Sequence, residues 1–251
     1  MKLSLLDMVQ DIASDFNDDE VNSISDTVES LQIAQILKSV YFEIIDGRKW
    51  PHLQTLVNLQ SSSDSEKPTH LKIPEDVREL EMFEYNSFRN LGDKDSYQEV
   101  KYVTPDEFLR KCSYLNSDAD NVMTITDYSG VKLQVTTNNA PTYWTSFDDE
   151  WIVCNSYNSV IDSTLRSSKT RALVYKDPVW KMVDNFVPDL PSEAFSYFLA
   201  EAKSVASVRL KQRPDAKAEQ QSNRQRMQMN RNAWKAAGGI RMPNYGRRSR
   251  K

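Results

Sequence analysis

The sequence predicts an α+β fold: a helical bundle formed by the N-terminal helices and a late helix, an inserted antiparallel β region, and an extended basic C-terminal arm. Three observations lead to this prediction. Apolar residues recur every three to four positions in 27–51 and again in 191–212, which is the period of an amphipathic helix. Between these segments the period changes to two, in short runs separated by Asn, Asp, Ser and Gly. After Pro214 the apolar period fades and basic residues dominate.

These patterns divide the 251 residues into three parts. We expect residues 1–50 and 186–213 to form the bundle, because helices that are remote in sequence can close one core. Residues 51–185 are then an inserted β-rich domain, and residues 214–251 are an arm that docks onto a partner. A chain of this length is long enough for one large domain or two small ones.

The helix predicted in 27–51 is the element around which the rest is organised. Its main stripe consists of Leu31, Ala34, Leu37, Tyr41 and Ile44. Other apolar residues widen the stripe, so we expect this helix to be covered on more than one face. We expect Ser25 or Asp26 to cap its first amides, and Gly47 to end it in the left-handed conformation, just before Trp50-Pro51.

Three further helices are predicted. The first, about 2–16, carries apolar residues at Leu5, Val9 and Ile12. The second, 105–114, follows Thr104-Pro105-Asp106-Glu107, where Thr104 and Glu107 are spaced as a capping box. The third, about 191–212, enters after two prolines and is the expected partner of the organising helix.

The β region is predicted from alternating apolar and polar residues. Its first strands lie in 53–59, 70–73 and 77–86. Further strand-like pieces follow at 122–126, 131–136, 142–145, 151–154 and 172–175. Short strands at this spacing indicate an antiparallel sheet or a small barrel.

The charge is distributed unevenly along the chain. The net charge is −4, but residues 207–251 contain 13 Lys and Arg against two acidic residues, a balance of +11. The totals of 32 basic and 36 acidic residues leave 19 and 34 for residues 1–206, a balance of −15. An acidic body with a basic tail points to a tail that meets an acidic partner or nucleic acid.

Residues that would indicate catalysis or a cofactor are scarce. The two histidines, His52 and His70, are not near a nucleophile motif, and they and the two cysteines lack zinc-ligand spacing. No glycine-rich phosphate loop occurs. We therefore predict no catalytic, cofactor-binding or metal-binding residues, and Asp148-Asp149-Glu150 are expected to form a turn. We also expect no transmembrane helix, no signal peptide and reduced cysteines.

Aromatic residues crowd one stretch of the β region. Tyr143, Trp144, Phe147, Trp151 and Tyr157 lie within fifteen residues of one another. Aromatic residues on strands usually belong to a core. The alternative is a subunit or tail interface, because Trp and Tyr are enriched in interfaces, and we assign it to the first four of these residues.

The basic tail combines arginines with large apolar side chains. A purely electrostatic arm does not need aromatic residues, whereas an arm that docks into pockets does. We therefore predict a docking arm carried by Arg224, Arg226, Arg231, Trp234, Lys235, Arg241, Tyr245, Arg247 and Arg248. Arg48, Trp50 and Pro51 are predicted to form a pivot between the bundle and the β insertion.

Several motifs resemble the head-to-tail adaptors of short-tailed bacteriophages (podoviruses), the tail tubular protein A-like family of head completion or connector proteins. The pattern runs LLDMVQDI, NSISDTVESLQIAQILKSVYFEII, RKWPHL and PTHLKIPEDV. It includes an Arg-x-Trp motif at 48–50 and a Leu-x-Ile-Pro-x-Asp turn at 71–76. PTYWTSFDDEWIV and the helix entry at 188–191 are also similar. The likeness covers most of residues 3–210; the long β insertion and the long basic tail depart from it.

The resemblance implies a structural virion protein that is made in the host cytoplasm and sits at the head-to-tail interface. In that family twelve subunits form a ring under the portal protein, and their C-terminal arms reach between portal subunits. The implied partners are the portal, the nozzle or tubular proteins of the tail, other copies of the chain, and the DNA that passes through the channel during genome ejection. No membrane or cofactor is implied.

Two alternatives remain open from the residues alone. The first is a nucleic-acid-binding protein whose basic tail neutralises phosphates, which predicts a steep salt dependence. The second is a virion-associated cell-wall hydrolase that uses paired carboxylates, for which Asp148-Asp149-Glu150 would be the candidates.

Overall fold

The computed structural model describes residues 2–16, 21–62, 64–88 and 94–231, without the side chains of Glu193 and of residues 228–231. It confirms the mixed α+β class. The chain divides into two compact units. Met1–Leu53 and Pro178–Lys251 belong to one, here called the helical unit, and Gln54–Asp177 form the other, the β unit. The sequence predicted residues 51–185 for this inserted β unit.

Four helices of the described residues lie close to their predicted positions: α1 (Leu5–Ser14), α2 (Val28–Asp46), α3 (Pro105–Ser113) and α4 (Ser192–Lys211). A further helix, α5 (Ala216–Arg231), lies in the segment predicted to be an extended arm. Pro51–Leu53 and Ser167–Lys169 form 3₁₀ turns. All helices except α3 belong to the helical unit.

Capping explains where the first helices begin. The Ser4 hydroxyl accepts from the Asp7 amide at 3.2 Å, and the Asp7 carboxylate accepts from the Ser4 amide at 3.0 Å, which satisfies two amides at the start of α1. In α2 the cap is Thr27, not Ser25 or Asp26 as predicted, and it exchanges the same pair of bonds with Ser30.

Gly47 does not adopt the predicted left-handed conformation. Its φ of −66° and ψ of −17° are right-handed, and its amide donates to the Glu43 carbonyl, so it continues the last turn of α2. The helix ends instead because Trp50-Pro51 diverts the chain into the 3₁₀ turn. The left-handed cap is found at the end of α4, where Gln212 has a φ of 53°.

Helices α1, α2 and α4 share one apolar core. Its large and fully buried side chains include Leu5, Met8, Ile12, Ile33, Leu37, Tyr41 and Phe198. The Tyr41 ring meets Phe198 edge-on at 6.3 Å and Trp180 at 5.1 Å. Small residues of α4, Ala194, Ala202 and Ala206, allow the close approach of its neighbours. Leu31, which was expected in the stripe of α2, is 40% exposed.

The segment before α4 is bonded to the start of the chain. The Leu5 amide donates to the Phe186 carbonyl at 2.7 Å, and the Leu6 amide donates to the Asp184 carbonyl at 3.0 Å. These two carbonyls satisfy free amides in the first turn of α1. The Asp184 carboxylate accepts from the Ile24 amide at 2.9 Å, so the segment also holds the connection between α1 and α2.

Helix α5 differs from the extended arm predicted for 214–251. The Asp215 carboxylate accepts from the Lys217 and Ala218 amides at 2.9 and 3.1 Å and so caps the helix. Its inner face is made of small and polar residues: Ala218 and Ser222 are buried, and the Ser222 hydroxyl donates to Glu201 of α4. An apolar period could not reveal this face.

The strands of the β unit are β1 (Gln54–Val57), β2 (Gln60–Ser61), β3 (His70–Lys72), β4 (Val77–Asn86), β5 (Tyr97–Glu99), β6 (Lys101–Tyr102), β7 (Val122–Thr126), β8 (Lys132–Thr136), β9 (Tyr143–Ser146), β10 (Trp151–Cys154) and β11 (Thr170–Lys176). Most of them lie near their predicted positions, but β5 and β6 were not predicted, and the strand predicted at 53–59 is found as the two short strands β1 and β2.

The strands form three sheets. One sheet has the order β1-β11-β4-β5, the second has the order β2-β3-β10-β9-β6, and β7 pairs with β8 as a hairpin. Every named pair is antiparallel except β6 and β9, which are parallel. A parallel pair needs a crossover, and here α3 and the β7–β8 hairpin lie between the two strands in sequence. The antiparallel prediction therefore holds with this one exception.

The β unit has its own core, to which α3 contributes Phe108 and Cys112. Other fully buried members include Leu59, Phe83 and Ile152. The capping box predicted at Thr104 is wrong: the Thr104 side chain makes no capping hydrogen bond, although Pro105 begins the helix as expected.

Candidate functional site

One of the predicted pivot residues, Trp50, has a buried indole that contacts the side chains of Arg48 and His52. Trp50 is 2% exposed, and its Nε1–H donates to the Ile44 carbonyl at 3.1 Å. The Arg48 guanidinium lies 3.8 Å from the centroid of the ring, and the His52 ring meets it edge-on at 5.6 Å. Pro51 begins the 3₁₀ turn. The three predicted residues are thus brought together within the helical unit; the pivot role stays a prediction.

A recess of about 170 Å³ adjoins this indole, within the helical unit. It is lined by side chains of α2, α4 and α5 and by the residues that follow α2. The charged members are two arginines and two glutamates: Arg48, Arg226, Glu43 and Glu201. Burial lowers the pKa of Arg48 and raises the pKa of Tyr197, which also lines the recess. The recess brings Arg226, predicted for the docking arm, beside Arg48 of the predicted pivot.

The other predicted arm residues are placed only in part. Arg224 is exposed on α5, and Arg226 is exposed at the recess. Arg231 is the last residue of α5, and its side chain is not described. Trp234, Lys235, Arg241, Tyr245, Arg247 and Arg248 lie outside the described residues.

The predicted aromatic cluster is partly core and partly surface. Trp144 is 9% exposed and packs edge-on against Tyr102 at 4.9 Å, whereas Tyr102 itself is 57% exposed. Phe147 is 36% exposed at the end of β9 and contacts Phe108. Trp151 stacks on Tyr128 with ring centroids 4.4 Å apart. Lys111 lies over the ring of Tyr143 at 4.4 Å. A subunit or tail interface through these residues remains a prediction.

A buried histidine–carboxylate pair was not found from the sequence. His70 is 1% exposed and Asp127 is 6% exposed, and the His70 Nε2 lies 2.9 Å from the Asp127 Oδ1. Because a carboxylate only accepts, Nε2 carries the proton of a neutral imidazole. Burial lowers the pKa of His70 and outweighs its carboxylate partner. Burial alone would raise the pKa of Asp127, but hydrogen bonds from Ser129 and His70 leave it below the usual range.

The two residues of this pair are 57 positions apart, so no local signal could have identified it. Tyr128, next to Asp127, covers the pair: its ring meets that of His70 edge-on at 5.5 Å, and its hydroxyl lies 3.3 Å from the Ser62 hydroxyl. Lys67 lies over the same tyrosine ring at 4.4 Å. The arrangement is a buried polar network that holds β3 against the β7–β8 connection.

The acidic run 148–150 forms the turn between β9 and β10, as predicted. The Asp148 carboxylate accepts from the Glu150 and Trp151 amides at 3.0 and 2.9 Å. Asp149 has a φ of 61°, a left-handed conformation that Asp tolerates. The Asp148 carboxylate is thus bonded to the backbone of its own turn.

Cys112 and Cys154 are free and buried, and burial raises the pKa of the Cys112 thiol to about 11 and that of Cys154 beyond the usual range. No group of His, Cys, Asp or Glu within the described ranges could hold a metal ion. None of the helices in that same part of the chain is both long and apolar enough to cross a membrane.

Comparison of the chain with known protein families finds no family model that matches it. A search of characterised proteins finds no significant match either. The likeness to phage adaptors therefore rests on the motifs quoted above.

Proposed function

We propose that this protein is a head-to-tail adaptor of a short-tailed bacteriophage: a structural virion protein that forms a ring joining the portal to the tail and completes the DNA exit channel. Its partners are the portal protein, tail nozzle or tubular proteins, other copies of itself and the passing DNA. Its place is the head-to-tail interface of the virion, and it has no catalytic role.

The observation that carries the proposal is the arrangement of the chain. Residues on both sides of Gln54–Asp177 belong to one helical unit, and the basic segment 207–251 is the last part of that unit in sequence. This order is the one that the resemblance implies: a bundle built from both ends, an insertion that contacts tail components, and a C-terminal arm. Helices α1, α2 and α4 supply the shared core of that bundle.

The arm is proposed to dock through the part of the chain beyond α5. Helix α5 is itself held on α4 through Ala218 and Ser222. The twenty residues after Arg231 contain six Lys or Arg and no acidic residue, together with Trp234 and Tyr245. Basic residues of this kind set the rate of association, whereas a buried aromatic residue slows dissociation.

The proposal is tested by co-sedimentation with portal rings of the same phage. We compare the full chain with a truncation after Arg231, which keeps α5 and its cap, and with Trp234→Ala. The truncation should abolish attachment, and Trp234→Ala should weaken it by about 2 kcal/mol, as for a central interface residue. Arg209→Ala is the matched control, because it removes one positive charge from α4, before the arm. If the truncated chain attaches as well as the full chain, the arm is not the docking element.

The balance of +11 in residues 207–251 favours one second candidate, a nucleic-acid-binding protein. Binding to a DNA duplex that weakens steeply with salt, with a slope set by the number of phosphate contacts, would support this candidate. The support for nucleic-acid binding would be clearest if the same chain failed to attach to portal rings at any salt concentration.

A further inference from the structure

A polar cleft of about 200 Å³ lies within the β unit, and of the residues discussed above it includes Tyr157. Its walls come from the end of β4, from β5, from the loop after β8 and from residues 157–169. The side chains that matter for recognition are Tyr85, Gln98, Asn138, Asn139, Tyr157 and Thr164. Amides are therefore concentrated in a single concave surface.

The charges of the cleft are neutralised internally. Lys169 is 5% exposed and Asp162 is 9% exposed, and the ammonium of the first bonds to the carboxylate of the second. Asp162 also accepts from the Arg166 Nε at 2.6 Å. The Lys169 ammonium lies 4.2 Å from the centre of the Phe88 ring. Since its buried cation and anion already satisfy each other, the cleft favours an uncharged ligand.

The amides at the mouth are free to bind a ligand. Within the described residues, the side chains of Gln98, Asn138 and Asn139 make no hydrogen bond, and all three are exposed. Asn86, by contrast, is already committed, because it donates to Asp95 at 2.7 Å and accepts from the Ser96 amide at 3.0 Å. Each free amide offers two donors and an acceptor side by side. One side-chain amide can therefore donate to one hydroxyl of a ligand and accept from the neighbouring hydroxyl.

The wall beside these amides is aromatic. Tyr85 and Tyr157 line the cleft, and each is 6% exposed. Burial raises the pKa of Tyr85 to about 12, so its phenol is neutral, and its oxygen accepts from the Arg166 amide at 3.3 Å. Rings with a buried apolar body and a polar rim suit a ligand that has both C–H and hydroxyl faces.

We propose that this cleft binds a neutral saccharide and accommodates one sugar ring. A volume of about 200 Å³ is below the roughly 300–1,000 Å³ of sites for drug-sized ligands, which limits the ligand to this size. The free amides bind the hydroxyls, and the tyrosine rings pack against the C–H face. The inference concerns the β unit alone and does not depend on the adaptor proposal.

The test is saturation-transfer difference NMR on the full chain. The probes are glucose, galactose, mannose, rhamnose and N-acetylglucosamine, with glucuronate and inorganic phosphate as charged comparisons. A glycan array separates a free sugar from one that belongs to a surface polysaccharide. The variants are Asn138→Ala combined with Asn139→Ala, in the loop after β8, and Gln98→Ala, on β5. Asn121→Ala is the matched control, because it removes an exposed amide of the same unit outside the cleft.

We expect at least one neutral sugar to bind, with a signal that is unchanged in Asn121→Ala. The double variant and Gln98→Ala should each weaken that binding at least tenfold, while their far-UV circular dichroism stays that of the parent. The proposal is overturned if no neutral probe binds, if only the charged probes bind, or if the cleft variants bind as well as the parent.

Discussion

Replacing Trp50 tests how much the residues after α2 contribute to the helical unit. The change is Trp50→Ala, with Trp50→Phe as a partial replacement and Leu31→Ala as the matched control. Trp50 is 2% exposed and Leu31 is 40% exposed. Leu31 lies in α2, and Trp50 follows the end of that helix closely in sequence. The comparison therefore separates the effect of removing a buried side chain from the effect of a change near α2.

The magnitude follows from what each change removes. Trp50→Ala deletes a fully buried indole, for which a loss of about 3–5 kcal/mol in the free energy of unfolding is typical. Trp50→Phe keeps an aromatic ring but leaves the buried Ile44 carbonyl without its 3.1 Å donor, which costs about 1–3 kcal/mol. Leu31→Ala should cost less than about 1 kcal/mol, because its side chain is already 40% exposed in the folded protein.

The assay is urea unfolding followed by circular dichroism at 222 nm, which reports helix and does not depend on tryptophan emission. The expected order of destabilisation is Trp50→Ala, then Trp50→Phe, then Leu31→Ala. If Trp50→Ala unfolds within 1 kcal/mol of Leu31→Ala, the structural role given to this residue is wrong, and the pivot hypothesis fails with it.

Three further outcomes are expected in the β unit. Because the pKa values of His70 and Asp127 are both lowered by folding, the unfolded chain binds more protons in acid. Stability should therefore fall below about pH 6.5 and again below about pH 4. In urea titrations His70→Gln should reduce the first decrease and leave the part due to His52, whose pKa is also lowered by burial. Lys169→Met should cost about 3 kcal/mol by leaving a buried carboxylate short of a partner, and Lys169→Met with Asp162→Leu should unfold at higher urea than the single variant. Cys154, which is 0% exposed, should react with Ellman's reagent only after unfolding, and a fast reaction of the native protein would contradict its burial.

The elements that the sequence predicted well are those whose apolar period is long. Helices α2 and α4 were found to within a few residues, because their apolar stripes continue over five turns. Their ends were harder to predict. Gly47 looked like a left-handed stop, yet the diversion at Trp50-Pro51 ends α2.

The features that the sequence missed depend on polar or distant contacts. Helix α5 packs through Ala218 and Ser222, which contribute no apolar period. Its buried face could therefore not be predicted from the spacing of hydrophobic residues. The pair of His70 and Asp127 is formed where β3 lies against the β7–β8 connection of another sheet, rather than by neighbours in sequence. The saccharide cleft is likewise assembled from four separate stretches of chain.

The central claim is tested most directly by measuring the mass of the protein with and without portal rings, by native mass spectrometry. An acidic body of −15 repels its copies, and the arm loses chain entropy when it docks, so the ring should assemble only on its template. We expect a 29.0 kDa monomer alone and a portal complex that gains a full ring of copies, about twelve as the family resemblance implies. A stable ring of the isolated protein at micromolar concentration would contradict template-dependent assembly, and a portal that gains no mass would contradict the adaptor function itself.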